Sequence, residues 1–328
     1  KIYMNEHYIG KINGLKIELD YSSTNLDTDI KSLKKAARSG AQQELKNRIE
    51  KIINHQELLE LKEDLKIYWQ DSKIAEIKPG KNYLNPVIKL FIDDTLEDND
   101  FSNLKLTIEN WIEKEKQKHL SDLISIEKTS LKNSLARGLA YQLFENNGVL
   151  NRETASNMIK NLNKEERYEL RKKGIKIGKY HIYQPRMIRP NAVKFKTILW
   201  KCFNSTKEIS YPNFGINFLK NFKNKNKNFL RICGFETFGN FIIRVDILER
   251  LFIEIINRSK DYKFKLDSKI LNLLGCTKDD FINFIKLIGY KVINEENEPE
   301  FKYLPKKIRK NKEKKATNAF SVLENYKI

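Results

Sequence analysis

Across residues 171–201 the chain sets Arg171, Lys172, Lys173, Lys176, Lys179, His181, Arg186, Arg189, Lys194, Lys196 and Lys201 among Tyr180, Tyr183 and Trp200. Basic side chains at this density neutralise backbone phosphates and release the counterions condensed on a polyanion. Surface aromatic rings stack on unpaired bases, each stack contributing about 1–3 kcal/mol. The chemistry these types suit is therefore contact with RNA or DNA, single strands above all. Trp200 reads as core. Tyr183, on the same strand face as the basic residues, stands equally for a stacking ring and for a core ring. A second basic run lies in residues 305–315, where Lys306, Lys307, Arg309, Lys310, Lys312, Lys314 and Lys315 face the single acid Glu313. It is expected to be disordered when free.

Other chemistries lack their residues. A phosphate-binding loop needs a glycine-rich turn followed by Lys-Ser or Lys-Thr, and the stretch from Gly174 through Gly178 to Lys179 and Tyr180 has neither the spacing nor the hydroxyl. Asp93-Asp94 and Asp279-Asp280 have no His or third carboxylate at ligand spacing, so no metal site is expected. The second pair opens a helix, where Thr277 and Asp280 read as a capping box. Four scattered His residues and the absence of a nucleophile elbow give no triad. No catalytic centre is expected in these residues.

The charge is distributed unevenly. Up to Leu150 there are 23 Lys and Arg against 24 Asp and Glu; beyond it there are 39 against 19, so the second part carries the whole net charge of +19. A composition rich in Lys, Asn and Ile, of the kind a low-GC genome produces, would load both parts alike. The asymmetry therefore points to a surface that attracts a polyanion.

The elements that must position these residues follow from periodicity. Residues 2–19 read as a small antiparallel meander turning at Asn13-Gly14. Residues 29–61 carry apolar positions at three- and four-residue steps, an amphipathic helix. Strands are expected over 65–69, 73–77 and 86–92, joining the meander in one sheet, and residues 101–147 read as two helices closed by Asn147-Gly148. Beyond residue 150, helices are expected over 151–161 and from an Asn163 cap to Lys173, strands over 175–183, and a helix over 191–203 after Pro185 stops the strand. Residues 214–228 read as an Asn- and Lys-rich connection and 229–244 as a hairpin. The order thereafter, helix 246–258, strand 262–266, helices 268–274 and 277–288, and a final hairpin, is that of a winged helix. Its presumed recognition helix begins with Asp279 and Asp280, which repel phosphate, and offers only Lys278 and Lys286 as positive groups, so a sequence-reading role is not expected. The fold class is thus α+β, mainly helical, in four parts: a near-neutral α+β module at 1–150, a basic helix-strand-helix segment at 151–228, a winged-helix-like module at 229–304 and a Lys-rich disordered tail at 305–328.

At 328 residues and 40% hydrophobic composition each part has enough chain for a core. No apolar run approaches the ~20 residues that span a bilayer. Cys202, Cys233 and Cys276 are too far apart for a zinc site and odd in number for a disulfide framework, which suits a reducing, cytoplasmic setting. Lys1 stands in a strand with no signal peptide before it, and the chain reads as a piece of a longer protein.

Several strings carry a resemblance: Ile2-Tyr3-Met4-Asn5 with the run from Ile9 to Gly14, the run from Ala136 to Leu143, the run from Leu170 to Pro185, Cys233-Gly234-Phe235, the run from Arg244 to Leu251, Leu274-Gly275-Cys276, Gly289-Tyr290 and Asn318-Ala319-Phe320. In order and spacing they resemble the C-terminal region of an alphaproteobacterial superfamily 2 helicase family, whose motor is similar to the mitochondrial helicases of RNA turnover. The resemblance covers nearly the whole chain. It implies that two RecA-like motor domains precede Lys1 and hold the ATP and magnesium sites, so no cofactor is expected in this chain. The parent protein would hydrolyse ATP. The chain departs from the family at Arg186-Met187-Ile188-Arg189-Pro190-Asn191, where the family has Leu and Pro-Ala, and in a tail rich in Lys rather than Arg; both bear on substrate preference.

Two functions are consistent with these residues. One is a non-catalytic accessory region that holds RNA or DNA strands near a helicase motor, through the basic segment and tail. The other is a scaffold that docks a nuclease or a ribosome-associated protein through the winged helix and a tail helix whose Phe320 and Leu323 share one face.

Overall fold

A computed structural model describes residues 2–4, 7–19, 30–92, 98–127, 134–205, 211–224, 226–294 and 299–303. The chain is α+β and mainly helical, with four three-stranded sheets and one four-stranded sheet among the described residues, every strand pair antiparallel. It divides into two compact units, Lys1–Arg250 and Leu251–Ile328, with the boundary inside the helix Val245–Arg258.

In the first unit the meander Ile2–Met4, His7–Asn13 and Lys16–Leu19 turns at Asn13-Gly14 as its sequence requires. The helix Ile30–Asn54 ends earlier than its apolar period suggests. Leu59 and Leu61 keep the helical spacing but pair with Trp69 and Ile67 across a sheet. That sheet runs Leu59–Leu61, Lys66–Trp69, Ser72–Lys78 and Val87–Leu90 in chain order, and it is separate from the meander, which meets it at the isolated Leu15–Ile92 bridge. Short turns at Asn13-Gly14, at residues 62–65 and at Gln70-Asp71 join neighbouring strands, so each of these two sheets pairs strands that are adjacent in the chain.

The helix Asp98–Glu127 packs against the last strand of the four-stranded sheet and the helix Ser134–Glu145 packs on that helix, with Leu104, Ile108, Leu123, Leu139 and Leu143 all buried in one core. Gly148 N donates to Leu143 O (2.9 Å) and closes the second helix. The helix expected from Asn151 does not begin there, and residues 149–151 are extended. They form the strand Val149–Asn151, which pairs with His181–Tyr183, and the helix Ser156–Asn161 starts only after a turn in which Asn151 Oδ1 accepts from Glu153 N. Asn163 does cap the helix Lys164–Lys172, in a full capping box with Glu166.

The stretch read as a connection contains a strand, Phe218–Lys220, and a short helix, Lys227–Ile232. The strand adds to the hairpin Phe235–Phe238 and Phe241–Arg244, which belongs to the first unit. Too short to show an alternating pattern, it is held by pairing with Phe241–Ile243.

In the second unit the strand Lys263–Lys265, the helices Ser268–Leu274 and Lys278–Leu287, and the strands Tyr290–Asn294 and Glu300–Tyr303 follow the last turns of Val245–Arg258. The sheet places the third strand between the first two, the order of a winged helix. Its core is aromatic: Phe301 stacks on Phe264 at 5.1 Å and meets Phe281 edge-on at 5.7 Å. Thr277 Oγ1 accepts from Asp280 N, so the Asp279-Asp280 pair sits in a helix cap.

Candidate nucleic-acid interface

The last turn of the helix Lys164–Lys172 delivers Arg171 and Lys172 to the surface, and Lys173 caps it. Gly174 then takes φ +74°, a left-handed conformation that turns the chain sharply and seats Ile175 in the core. Lys176 follows as an exposed strand residue. Opposite these, Pro185 ends the strand and the short turn Pro185–Ile188 carries Arg186 outward, with Arg189 next.

The two sides are braced by Gln184, fully buried, whose Nε2 donates to Asp122 O (2.9 Å) and Lys173 O (3.3 Å). Between them is a concavity of about 540 Å³ lined by Arg171, Lys172, Lys173, Lys176, Arg186 and Arg189, with Asp122 as its single carboxylate. Asp122 Oδ1 lies 3.2 Å from Arg186 Nη1. The other five cations have no carboxylate partner among the described residues. A groove of like charges left unneutralised by its own protein attracts anions.

Not every expected residue is in it. Lys179 is exposed but does not line the groove. Lys194 is exposed into a different concavity, of about 680 Å³, that it shares with Glu57, Glu60 and Glu115, a mixed-charge surroundings with no preference for phosphate. Lys196, one of the basic residues of the segment, is 0% exposed; its amine donates to Asn147 O at 3.0 Å, and burial pulls its pKa down to about 7. Trp200 packs at 5.1 Å on Phe229, as a core ring does.

His181 and Tyr183, expected at the interface, are buried at 1% and 6% exposure and cannot reach a nucleic acid. Tyr183 packs with Val149, Ile188 and Val245, and burial, then the nearby Glu249, pushes its hydroxyl up to about 12. His181 is held between two carboxylates: Nε2 is 2.9 Å from Glu236 Oε2 and Nδ1 3.4 Å from Glu249 Oε1. Burial alone would lower its pKa, but the hydrogen bond to Glu236 and the adjacent Glu249 carboxylate outweigh it and the net shift is upward. Glu236, although desolvated, is held to about 2 by His181 and Arg231.

Glu249 also accepts from three successive amides, Lys179 N (2.5 Å), Tyr180 N (2.9 Å) and His181 N (2.7 Å). Gly178 precedes them because a Cβ there would collide with the Glu249 carboxylate. This clasp ties the hairpin at 176–183 to the helix that begins at Val245; its role is structural.

One exposed aromatic was missed. Tyr168 is 57% exposed, one turn before Lys172, whose Nζ sits 4.6 Å from the ring centroid. Its signal in the sequence is a Tyr four residues before a Lys on a charged helix, a spacing that places both on one helical face. Lys306, Lys307, Arg309, Lys310, Phe320 and Leu323, and the Asp93-Asp94 pair, lie outside the described residues. Among the described residues no group of three or more His, Cys, Asp or Glu could hold a metal ion, and no helix is long and apolar enough to cross a membrane. Against known proteins, no family model, no curated protein and no solved structure matches this chain.

Proposed function

We propose that this chain is a non-catalytic nucleic-acid-binding region whose contact surface is the groove between Lys173 and Arg186, with single-stranded RNA or DNA as its ligand. The observation that carries the reading is the convergence of six cations from two separate segments on one concavity with a single carboxylate. Tyr168 beside it supplies an exposed ring for an unpaired base. The setting we propose, an accessory region of an ATP-dependent superfamily 2 helicase in the cytoplasm, comes from the strings of residues that resemble that family; the unpaired Cys202, Cys233 and Cys276 suit a reducing compartment. ATP and magnesium would belong to the motor.

The test is equilibrium binding of the chain to labelled single-stranded RNA, single-stranded DNA and duplex across a salt series. Six phosphate contacts on a single strand correspond to a log–log slope of roughly −4. A slope near zero, or no binding at low salt, sinks the reading.

A scaffold for a nuclease or a ribosome-associated protein is favoured by a different observation. In the second unit Ile253, Ile256, Leu287 and Ile293 are each about half exposed, at 54%, 53%, 52% and 49%. If that is the function, Ile253→Asp with Ile256→Asp abolishes association with such a partner, while charge reversal in the groove leaves it intact.

A further inference from the structure

The Asn- and Lys-rich stretch that read as a connection forms one wall of a second concavity in the first unit, of about 410 Å³. Its floor is a sheet face: Thr237 and Ile242 are cross-strand partners, and Leu230 from the adjoining helix packs beside them. Phe222 forms a side, partly buried against the same apolar cluster. The hairpin tip at Gly239 and Asn240 closes one end, clamped to the loop by Asn221 N donating to Asn240 O at 2.8 Å. On the loop, Asn224 Oδ1 accepts from Asn226 N at 2.9 Å.

The chemistry of this lining is specific. Thr237 Oγ1 is buried with no hydrogen-bond partner among the described residues. Buried hydroxyls are nearly always paired, and because Thr237 is a lining residue of the cavity, a turn about its χ1 can offer the unsatisfied group to a ligand or water. Asn221 and Asn240 contribute carboxamides, which donate and accept at once, as the edge of a nucleobase does. Lys223 and Lys227 are exposed at the mouth, and no carboxylate lines the cavity. Its volume lies within the range of sites that enclose a small planar ligand. An aliphatic floor with an aromatic side, amide and hydroxyl groups at the edges, and two cations at the mouth match one ligand class.

From this we infer that the concavity bounded by Phe222, Thr237 and Asn240 is a pocket for a single unpaired nucleotide, with its base against Ile242 and Leu230 and its phosphate on Lys223 and Lys227. The pocket shares no residue with the basic groove and does not depend on it. The nucleotide is either free or part of a strand, and the same contacts serve both.

The experiment is amide chemical-shift mapping on the full chain, titrated separately with the four nucleoside 5′-monophosphates and with a single-stranded hexanucleotide. Saturable shifts at residues 221–224 and 237–240 are expected, with Thr237→Val weakening the affinity about tenfold at an unchanged melting temperature. The surface variant Lys223→Glu with Lys227→Glu should abolish the shifts without risk to the core, and reversal of Lys172, Lys173 and Lys176 should leave them in place. Shifts with mononucleotides alone identify a free-nucleotide site; shifts with the hexanucleotide identify a strand contact. No shift with either ligand overturns the inference, as do shifts that survive both pocket variants. If the groove fails to bind but these shifts persist, the pocket stands without the proposed function.

Discussion

Glu249 accepts from the main-chain nitrogen of His181 at 2.7 Å, and the same carboxylate lies 3.4 Å from that residue's imidazole Nδ1. With Glu236 on the other ring nitrogen, the histidine is enclosed by two anions in a site only 1% exposed. Its burial is therefore tolerable mainly as the imidazolium, and the acids are satisfied by it and by the amides of residues 179–181.

Stability should follow this arrangement with pH. The folded His181 pKa is raised above 6.5, so its contribution is fully present below pH 6.5 and is lost as pH rises through the folded value. The Glu236 and Glu249 pKa values are lowered from 4.5, so their contribution is present above pH 4.5 and fades as pH falls through the folded values, about 2 for Glu236. The clasp is thus strongest between about pH 4.5 and 6.5. Glu249→Gln, which leaves the imidazolium short of one anion, should destabilise the fold by about 3 kcal/mol at pH 6. Urea unfolding at pH 6 and pH 9 checks this, with a smaller loss expected at pH 9.

Lys196 runs the other way. Its folded pKa, about 7 against 10.5, means the unfolded chain binds an extra proton between those values, so stability should rise with pH across that window. Lys196→Met removes the desolvated amine at the cost of one hydrogen bond to Asn147 O. The expected result is a flatter stability profile from pH 7 to 10, measured by thermal melting, with the variant at least as stable as the parent at pH 7.

Reversing Lys172, Lys173 and Lys176 to Glu removes half the cations of the groove without touching the Gln184 brace. Single-strand affinity at ~50 mM salt should fall by about 100-fold or more, and the salt slope should flatten to roughly −2. Fluorescence anisotropy reads both. Lys194→Glu, on the other concavity, should change neither by more than a factor of about two, since the lysines and glutamates around it already offset one another.

Tyr168→Ala should weaken single strands by about tenfold and leave duplex binding unchanged, because stacking needs an unpaired base. Tyr183→Phe, by contrast, should leave both affinities unchanged, since its ring is inside the protein.

Local signals in the sequence were reliable where a residue's type fixes its backbone. Asn163 with Glu166, Asn13-Gly14, Asn147-Gly148 and Thr277 with Asp280 each mark an end that the structure shows. The whole order of the second unit was legible because its helices are amphipathic and its strands are separated by turn residues. Elements stabilised only by a distant partner were not legible: Val149–Asn151 depends on His181–Tyr183, and Phe218–Lys220 depends on the hairpin after it. For the candidate site, the density of charge was readable, but which face each residue takes was not. A two-residue strand, Lys176–Ile177, is too short for alternation to separate Lys176 outside from His181 and Tyr183 inside.

Gln184 has one further consequence. A neutral carboxamide, fixed in the interior, holds Lys173 and the chain that carries Arg186 at a set separation, so the cations around the groove cannot drift apart to relieve their mutual repulsion. The protein thus carries an internal repulsion among these cations that grows as salt is diluted. Under the proposed function, relief of that repulsion would supply part of the affinity for a phosphate backbone.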